Sequence, residues 1–120
     1  MQWEVAFHPA FEPEFDKLAE AVQDELLAKA LLLEEFGPEL GRPHVDTLNG
    51  SRYRNMKELR FDAADGVWRV AFAFDPQRQA ILLVAGDKSG SSQKQFYKAL
   101  LKKADERFAV HLEKLKEQNE

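Results

Sequence analysis

The 120-residue chain contains no cysteine, which removes disulfide frameworks, thiolate metal sites and thiol nucleophiles at once and fits a reducing interior. No apolar run approaches the roughly 20 residues that a membrane-spanning helix needs. The opening Met1-Gln2-Trp3-Glu4 lacks the basic and apolar segments of a signal peptide. A cytoplasmic protein without membrane association is therefore expected. Repeats, low-complexity tracts and linkers are missing as well, and at 44% hydrophobic the chain reads as one domain over residues 1–120 with a single core. Nor is there an excess of positive charge: the formal net charge is −4, which argues against a general nucleic-acid coat.

That charge is unevenly placed. Residues 1–41 hold two lysines and ten acids, net −8, whereas residues 42–61 hold five Lys/Arg and two acids, net +3. Local potential rather than total charge steers a polyanion, so a nucleic-acid site is permitted.

The period changes along the chain in a readable order. Trp3 to His8 alternates as a strand does. Pro9 and Pro13 favour a helix start, and Phe11, Phe15, Leu18 and Val22 follow at helical spacing. A second helical pattern runs from Leu26 through Leu27, Ala30, Leu31 and Leu33 to Phe36, where Gly37-Pro38 stops it. These predict an antiparallel helical hairpin that breaks near Glu20–Gln23. Gly37 to Ser51 reads as a loop, slightly long for a connector, which hints at function or at covering an edge. Strands are expected at Tyr53–Phe61, Val67–Phe74 and Ala80–Gly86, with short turns that make them an antiparallel meander. A last helix over Ser92–Glu117 carries an apolar stripe of Tyr97, Leu101, Ala104, Phe108, Leu112 and Leu115. The predicted fold is α+β: an N-terminal strand and helical hairpin packed on a twisted antiparallel sheet, in the order β-α-α-β-β-β-α.

Strand alternation sorts the side chains between faces. Trp68, Val70, Phe72 and Phe74 share a core face under helices, while Arg69, Ala71 and Ala73 share the other. Glu58 and Arg60 fall on one face of the preceding strand, and Lys57, Leu59 and Phe61 on the opposite one. An arginine inside a strand is costly to desolvate, so it has a carboxylate partner or faces a cleft. With small residues above it, the Arg60, Glu58 and Arg69 face is expected to be an open polar groove. Arg60, Arg69 and Lys88 should surround one concave patch on it, and such a cation group suits a phosphate backbone.

Leu59-Arg60, Trp68-Arg69-Val70, Gly86-Asp87-Lys88 and Tyr97, in this element order, resemble the RelE/ParE toxin superfamily. Gly37-Pro38-Glu39-Leu40-Gly41-Arg42-Pro43, Leu48-Asn49-Gly50-Ser51 and Asn55-Met56-Lys57-Glu58-Leu59-Arg60 resemble its phage-associated, HigB-like branch. The likeness spans Phe7 to about Phe108. It implies a RelE-like fold and the toxin of a type II toxin–antitoxin system, either a ribosome-dependent mRNA endonuclease or, as in ParE members, an inhibitor of DNA gyrase. A degenerate member that only binds its antitoxin is a third reading. The implied partners are an antitoxin of helix-turn-helix type, the ribosome and mRNA, with a homodimer left open and no cofactor. By position, Arg69 matches the family arginine that holds the scissile phosphate, and Lys88 and Arg60 match its other basic residues. Glu58 stands where RelE has a lysine, and Tyr97 follows Lys88 at a longer interval than in RelE.

Cleavage by a 2′-OH needs a base, cations on the developing phosphorane and an acid for the leaving oxygen. The candidate catalytic set is Arg69, Lys88, Glu58 and Tyr97, with Arg60, Lys57 and Arg54 binding substrate. His8, His44 and His111 are too scattered for a ligand motif, so no metal site is expected. Lys94, Lys98, Lys102 and Lys103 form a solvated helix face that could equally meet RNA phosphates. The acidic hairpin, with Glu12, Glu14, Asp16, Glu20, Asp24 and Glu25, is expected to receive the antitoxin.

Overall fold

The computed structural model describes residues 2–118. Strand β1 (Glu4–Phe7) leads into a one-turn helix α1 (Glu12–Asp16) and a long helix α2 (Glu20–Phe36). Four strands follow, β2 (Val45–Thr47), β3 (Met56–Ala63), β4 (Gly66–Phe74) and β5 (Gln79–Asp87), and helix α3 (Gln93–Gln118) closes the order. The sheet runs β1-β5-β4-β3-β2. All its pairings are antiparallel except that of β1 with β5, so the sheet is mixed. Among the described residues no helix is long and apolar enough to cross a membrane.

The meander of β3, β4 and β5 forms where alternation places it. Its first turn is tight: Ala64 and Asp65 both have positive φ (49° and 62°), the sign pattern that matches the twist of a two-residue hairpin. The second turn is held by the Asp75 carboxylate, whose Oδ1 accepts from the Gln77 and Gln79 amides at 2.9 Å. β2 is an addition to the expected order. It lies inside the segment read as loop, because three residues with Asp46 at the centre give no strand period.

The N-terminal helices differ from the expected hairpin in proportion. The break falls at residues 17–19, not Glu20–Gln23: Ala19 is extended (ψ 145°), and Gln23 Nε2 donates to the Phe15 carbonyl at 2.8 Å, tying the short helix to the long one. Helix α2 buries Val22, Leu26, Ala30 and Leu33 at helical spacing against β3 and β4. It stops at Gly37, where φ is +55° and a Cβ would stand 2.3 Å from the Trp3 ring, so only glycine fits.

The other sheet face is not open. Helix α3 lies along it and packs Leu100, Ala104 and Phe108 against Met56, Ala71, Ala73, Ile81 and Leu83. Ala71 and Ala73, expected to leave space for substrate, instead let a helix approach closely, with Ala104 fully buried opposite them. Polar ties pin the helix. His111 Nε2 lies 2.8 Å from Asp75 Oδ2, Asp105 accepts from the Ser51 hydroxyl, and Arg107 donates to the Leu83 carbonyl at 2.7 Å. Arg107 also grips both Glu14 oxygens at 2.7 and 2.9 Å, so Glu14 belongs to the tertiary structure rather than to a free acidic surface.

Hydrogen bonding from Arg107 holds the Glu14 carboxyl below its ordinary pKa. A depressed carboxylate pKa stabilises the fold above the unfolded value and loses that contribution as pH falls through the folded one. Glu14→Gln should therefore lower stability at pH 7 by about 1 kcal/mol, a partly solvated pair being worth little more, and should flatten the acid side of the stability profile. Chemical denaturation between pH 3 and 7 reads both effects.

Candidate active site

Beside the start of α3 lies a cleft of about 390 Å³ between α3, β3 and the β2 segment. Arg42, Asp46, Asn49, Glu58, Arg60, Lys88, Gln93 and Tyr97 are among the residues that line it. Strand parity sets the floor. Glu58 faces Asp46 across β2–β3 and Ala71 across β3–β4, and Arg60 faces Arg69, which itself faces Gly86.

Glu58 is 5% exposed and Arg69 6% exposed. Their closest approach, Arg69 Nε to Glu58 Oε1, is 3.9 Å, and Arg60 Nε stands 3.9 Å from Glu58 Oε2. Arg69 Nε donates to the Tyr97 hydroxyl oxygen at 3.3 Å and Nη1 to the Trp68 carbonyl at 2.9 Å. Glu58 Oε1 is buried and accepts no hydrogen bond among the described residues. Burial pushes the Glu58 carboxyl above its ordinary pKa, against the Tyr97 hydroxyl, Arg69 and Arg60, which each hold it down. Burial likewise raises the Tyr97 phenol, so it keeps its proton. Lys88 Nζ lies 6.0 Å from the Tyr97 ring centroid and forms no ion pair among the described residues.

The expected trio divides in two. Arg60 and Lys88 line the cleft. Arg69 does not: it lies beneath, contributing instead to an adjoining depression shared with Arg42 and Arg60. Lys57 and Arg54 are not brought to the cleft either. Lys57 stands on the opposite strand face and donates to Thr47 Oγ1 at 3.2 Å, and Arg54 is exposed in the turn before β3. Tyr97, in contrast, is half-buried at the centre of the cluster.

Sequence reasoning missed Arg42 and Asp46. Asp46 Oδ2 takes Arg42 Nη2 at 2.7 Å and stands 3.8 Å from Arg60 Nη1, and the Arg42 hydrogen bonds lower the Asp46 pKa. The signals were the excess length of the loop and, for Arg42, its place at the head of the basic block 42–61. Across the cleft and the adjoining depression, Arg42, Arg60, Arg69 and Lys88 outnumber Asp46, Glu58 and Asp62 by one, so an acidic protein carries a locally cationic site. Asp75 and His111, bonded to each other at the far end of α3, take no part in it. No cluster of potential metal ligands occurs among the described residues.

A five-stranded sheet with an N-terminal helical layer and a C-terminal helix is the RelE-like α+β fold. It superposes on a double mutant of E. coli toxin RelE in the free state with a TM-score of 0.60 at 14% identity, covering 84% of this chain and 95% of that one. It also matches the archaeal RelE–RelB complex from Pyrococcus horikoshii OT3 with a TM-score of 0.54 at 19% identity, covering 76% of this chain and all of that one. The chain belongs to the family described as Phage derived protein Gp49-like (DUF891), whose model matches residues 13–109. Two relatives come from Mycobacterium tuberculosis (strain ATCC 25618 / H37Rv). The protein named "Putative toxin HigB2" is 53% identical over 90 residues, 73% of this chain and 44% of the relative. The protein named "Putative toxin HigB3" is 54% identical over 76 residues, 63% of this chain and 64% of the relative. The chain thus spans less than two thirds of either relative's length.

Arg69 and Arg60 differ in what they support. Arg69→Ala takes the Nε donor from the Tyr97 hydroxyl and the buried guanidinium from beside Glu58, and should cost about 3 kcal/mol. Arg60→Ala removes a half-exposed guanidinium with two long contacts and should cost roughly 0.5 kcal/mol. Equal losses in urea denaturation would contradict the assignment of Arg69 as the buried support.

Proposed function

We propose that this chain is the toxin of a type II toxin–antitoxin pair, and that the cleft at the head of α3 cleaves mRNA engaged on the ribosome. The observation that carries this reading is Glu58: a buried carboxyl of raised pKa, with one unpartnered oxygen, ringed by Arg60, Arg69, Tyr97 and Lys88. A base of this kind works best when its pKa is drawn toward the operating pH. The family membership and the toxin names of the mycobacterial relatives support the class. The RelE–RelB complex among its structural neighbours supports an antitoxin partner.

In this mechanism Arg60 and Lys88 receive the scissile phosphate at the cleft. Glu58 takes the proton of the adjacent 2′-OH as that oxygen attacks phosphorus. Arg60 and Lys88 neutralise the charge that develops on the phosphorane, and Arg69 keeps Glu58 and Tyr97 in place. Tyr97 gives its proton to the departing 5′-oxygen. Proton transfer from Glu58 to the Tyr97 phenolate beside it then restores both groups, leaving a cyclic phosphate and a free 5′-OH. Guanidinia suit the charge-bearing role because they match phosphate oxygens in a fixed fork and stay protonated. Carboxylate, phenol and cations supply acid–base cleavage from side chains alone. Residues 88–104 hold five lysines and no acid, giving the cleft a basic flank toward ribosomal RNA.

Induced expression should arrest translation, with mRNA cut only while ribosomes occupy it; replication arrest with intact mRNA would instead favour gyrase inhibition. In single-turnover cleavage Glu58→Gln should lose about 10²–10⁴ in rate and Arg60→Ala about 10²–10³. Because the Glu58 pKa is raised, activity should fall with acid at a pH above the ordinary glutamate range, and Glu58→Gln should abolish that limb.

A further inference from the structure

Asn49 and Gly50 lie in the turn that follows β2, and Asn49 lines the cleft. Glycine is required at the second position. Its φ is +95°, and a Cβ there would stand 3.2 Å from Leu101 Cδ1. The chain is anchored on both sides of the pair. The Leu48 amide donates to the Met56 carbonyl at 3.1 Å, and Asp105 accepts from the Ser51 hydroxyl and the Arg52 amide. Between those anchors nothing holds the two residues. Both are exposed, and among the described residues neither the Gly50 amide nor the Asn49 carboxamide makes a hydrogen bond.

An unheld asparagine followed by glycine is chemically labile. The Gly50 nitrogen, on losing its proton to solvent base, attacks the Asn49 side-chain carbonyl carbon. A new C–N bond closes a succinimide ring, the bond to the side-chain nitrogen breaks, and ammonia leaves with a proton taken from water. Water then opens the ring at either carbonyl, giving aspartate or isoaspartate. A larger residue at 50 would crowd the attacking nitrogen; glycine does not. Asn55 is the internal contrast. Its Nδ2 donates to the Phe74 carbonyl, the bulkier Met56 follows it, and the Met56 amide is engaged by the Tyr53 carbonyl at 3.2 Å.

We propose that Asn49 is a site of spontaneous deamidation, and that the carboxylate formed there weakens the hold of the cleft on RNA. The residues lining the cleft set Arg42, Arg60 and Lys88 against Asp46 and Glu58, a margin of one positive charge. A carboxylate at position 49 removes that margin and repels a phosphate backbone at short range. The turn demands glycine at 50, so the lability is built into the fold and sits at the edge of its cationic site. The loss of RNA binding rests on the function proposed for the cleft; the deamidation itself does not.

The test ages the full chain at pH 8 and maps it by peptide mass spectrometry, with enzymatic isoaspartyl methylation to detect the rearranged product. Asn49 should convert while Asn55 stays intact. Conversion should be faster at pH 8 than at pH 6, because the attacking nitrogen must shed its proton. Asn49→Gln, whose longer side chain closes the ring poorly, should stay unconverted at that position. Binding of a ten-nucleotide oligouridylate should weaken about tenfold in Asn49→Asp, the scale of one like charge added beside a phosphate. The aged chain should lose binding in proportion to its converted fraction. Asn49 persisting as asparagine, or converting no faster than Asn55, would overturn the proposal. So would Asn49→Asp binding the oligouridylate as tightly as the unaged chain, or Asn49→Ala weakening it equally, which would assign the loss to a missing amide contact. The peptide map needs no RNA, so the modification and the reading of the cleft fail separately.

Discussion

Everything at the head of α3 is arranged around one carboxyl group that has been taken out of water. Glu58 sits on a central strand at 5% exposure, and an isolated carboxylate in that position would be far too costly to keep charged. Two guanidinia at 3.9 Å and the Tyr97 hydroxyl lower that cost without cancelling it, so the pKa stays above its usual value. Their positions are dictated by the fold. Strand register puts Arg60 and Arg69 opposite each other, and the helix that covers Ala71 and Ala73 carries Tyr97 over the pair.

The same helix divides the protein's two electrical halves. The acidic third, residues 1–41, builds the layer on one sheet face, and α3 brings the lysine run of residues 88–104 to the other. A protein of net charge −4 can thereby present a cationic cleft. The Arg107–Glu14 pair crosses from α3 to α1 and fastens the two layers at the point where β1 leaves the sheet. A surface of negative charge remains on α2, but Glu14 is committed to its ion pair with Arg107.

Periods and punctuation carried most of the fold. The β3–β4–β5 meander, the start of α3 and the sorting of Glu58, Arg60 and Arg69 to one face could all be read, because alternation over eight or nine residues is unambiguous. What lay above Ala71 and Ala73 could not. Small side chains signal room, and room is filled equally well by substrate or by a helix with an alanine of its own at Ala104. β2 and the Arg42–Asp46–Arg60 chain were hidden because three residues have no period and ion pairs between segments leave no local mark. Arg69 was recognisable as a residue needing a carboxylate or a cleft. Glu58 was already a candidate partner by shared strand face; that Tyr97 would join it, with Arg60 and Lys88 left to face the cleft, depended on how the start of α3 is seated.

The central claim is that Glu58 is held as a carboxyl of raised pKa with charged and hydroxyl groups around it. It is tested most directly by carboxyl-carbon NMR titration of Glu58 in the folded chain, with Glu58→Gln to assign the resonance. A midpoint clearly above the model-peptide value of 4.5, with the Tyr97 ring resonances shifting in the same step, is the predicted result. A midpoint at or below 4.5, with Tyr97 silent, would mean that Glu58 is an ordinary ion-paired carboxylate and would contradict the account.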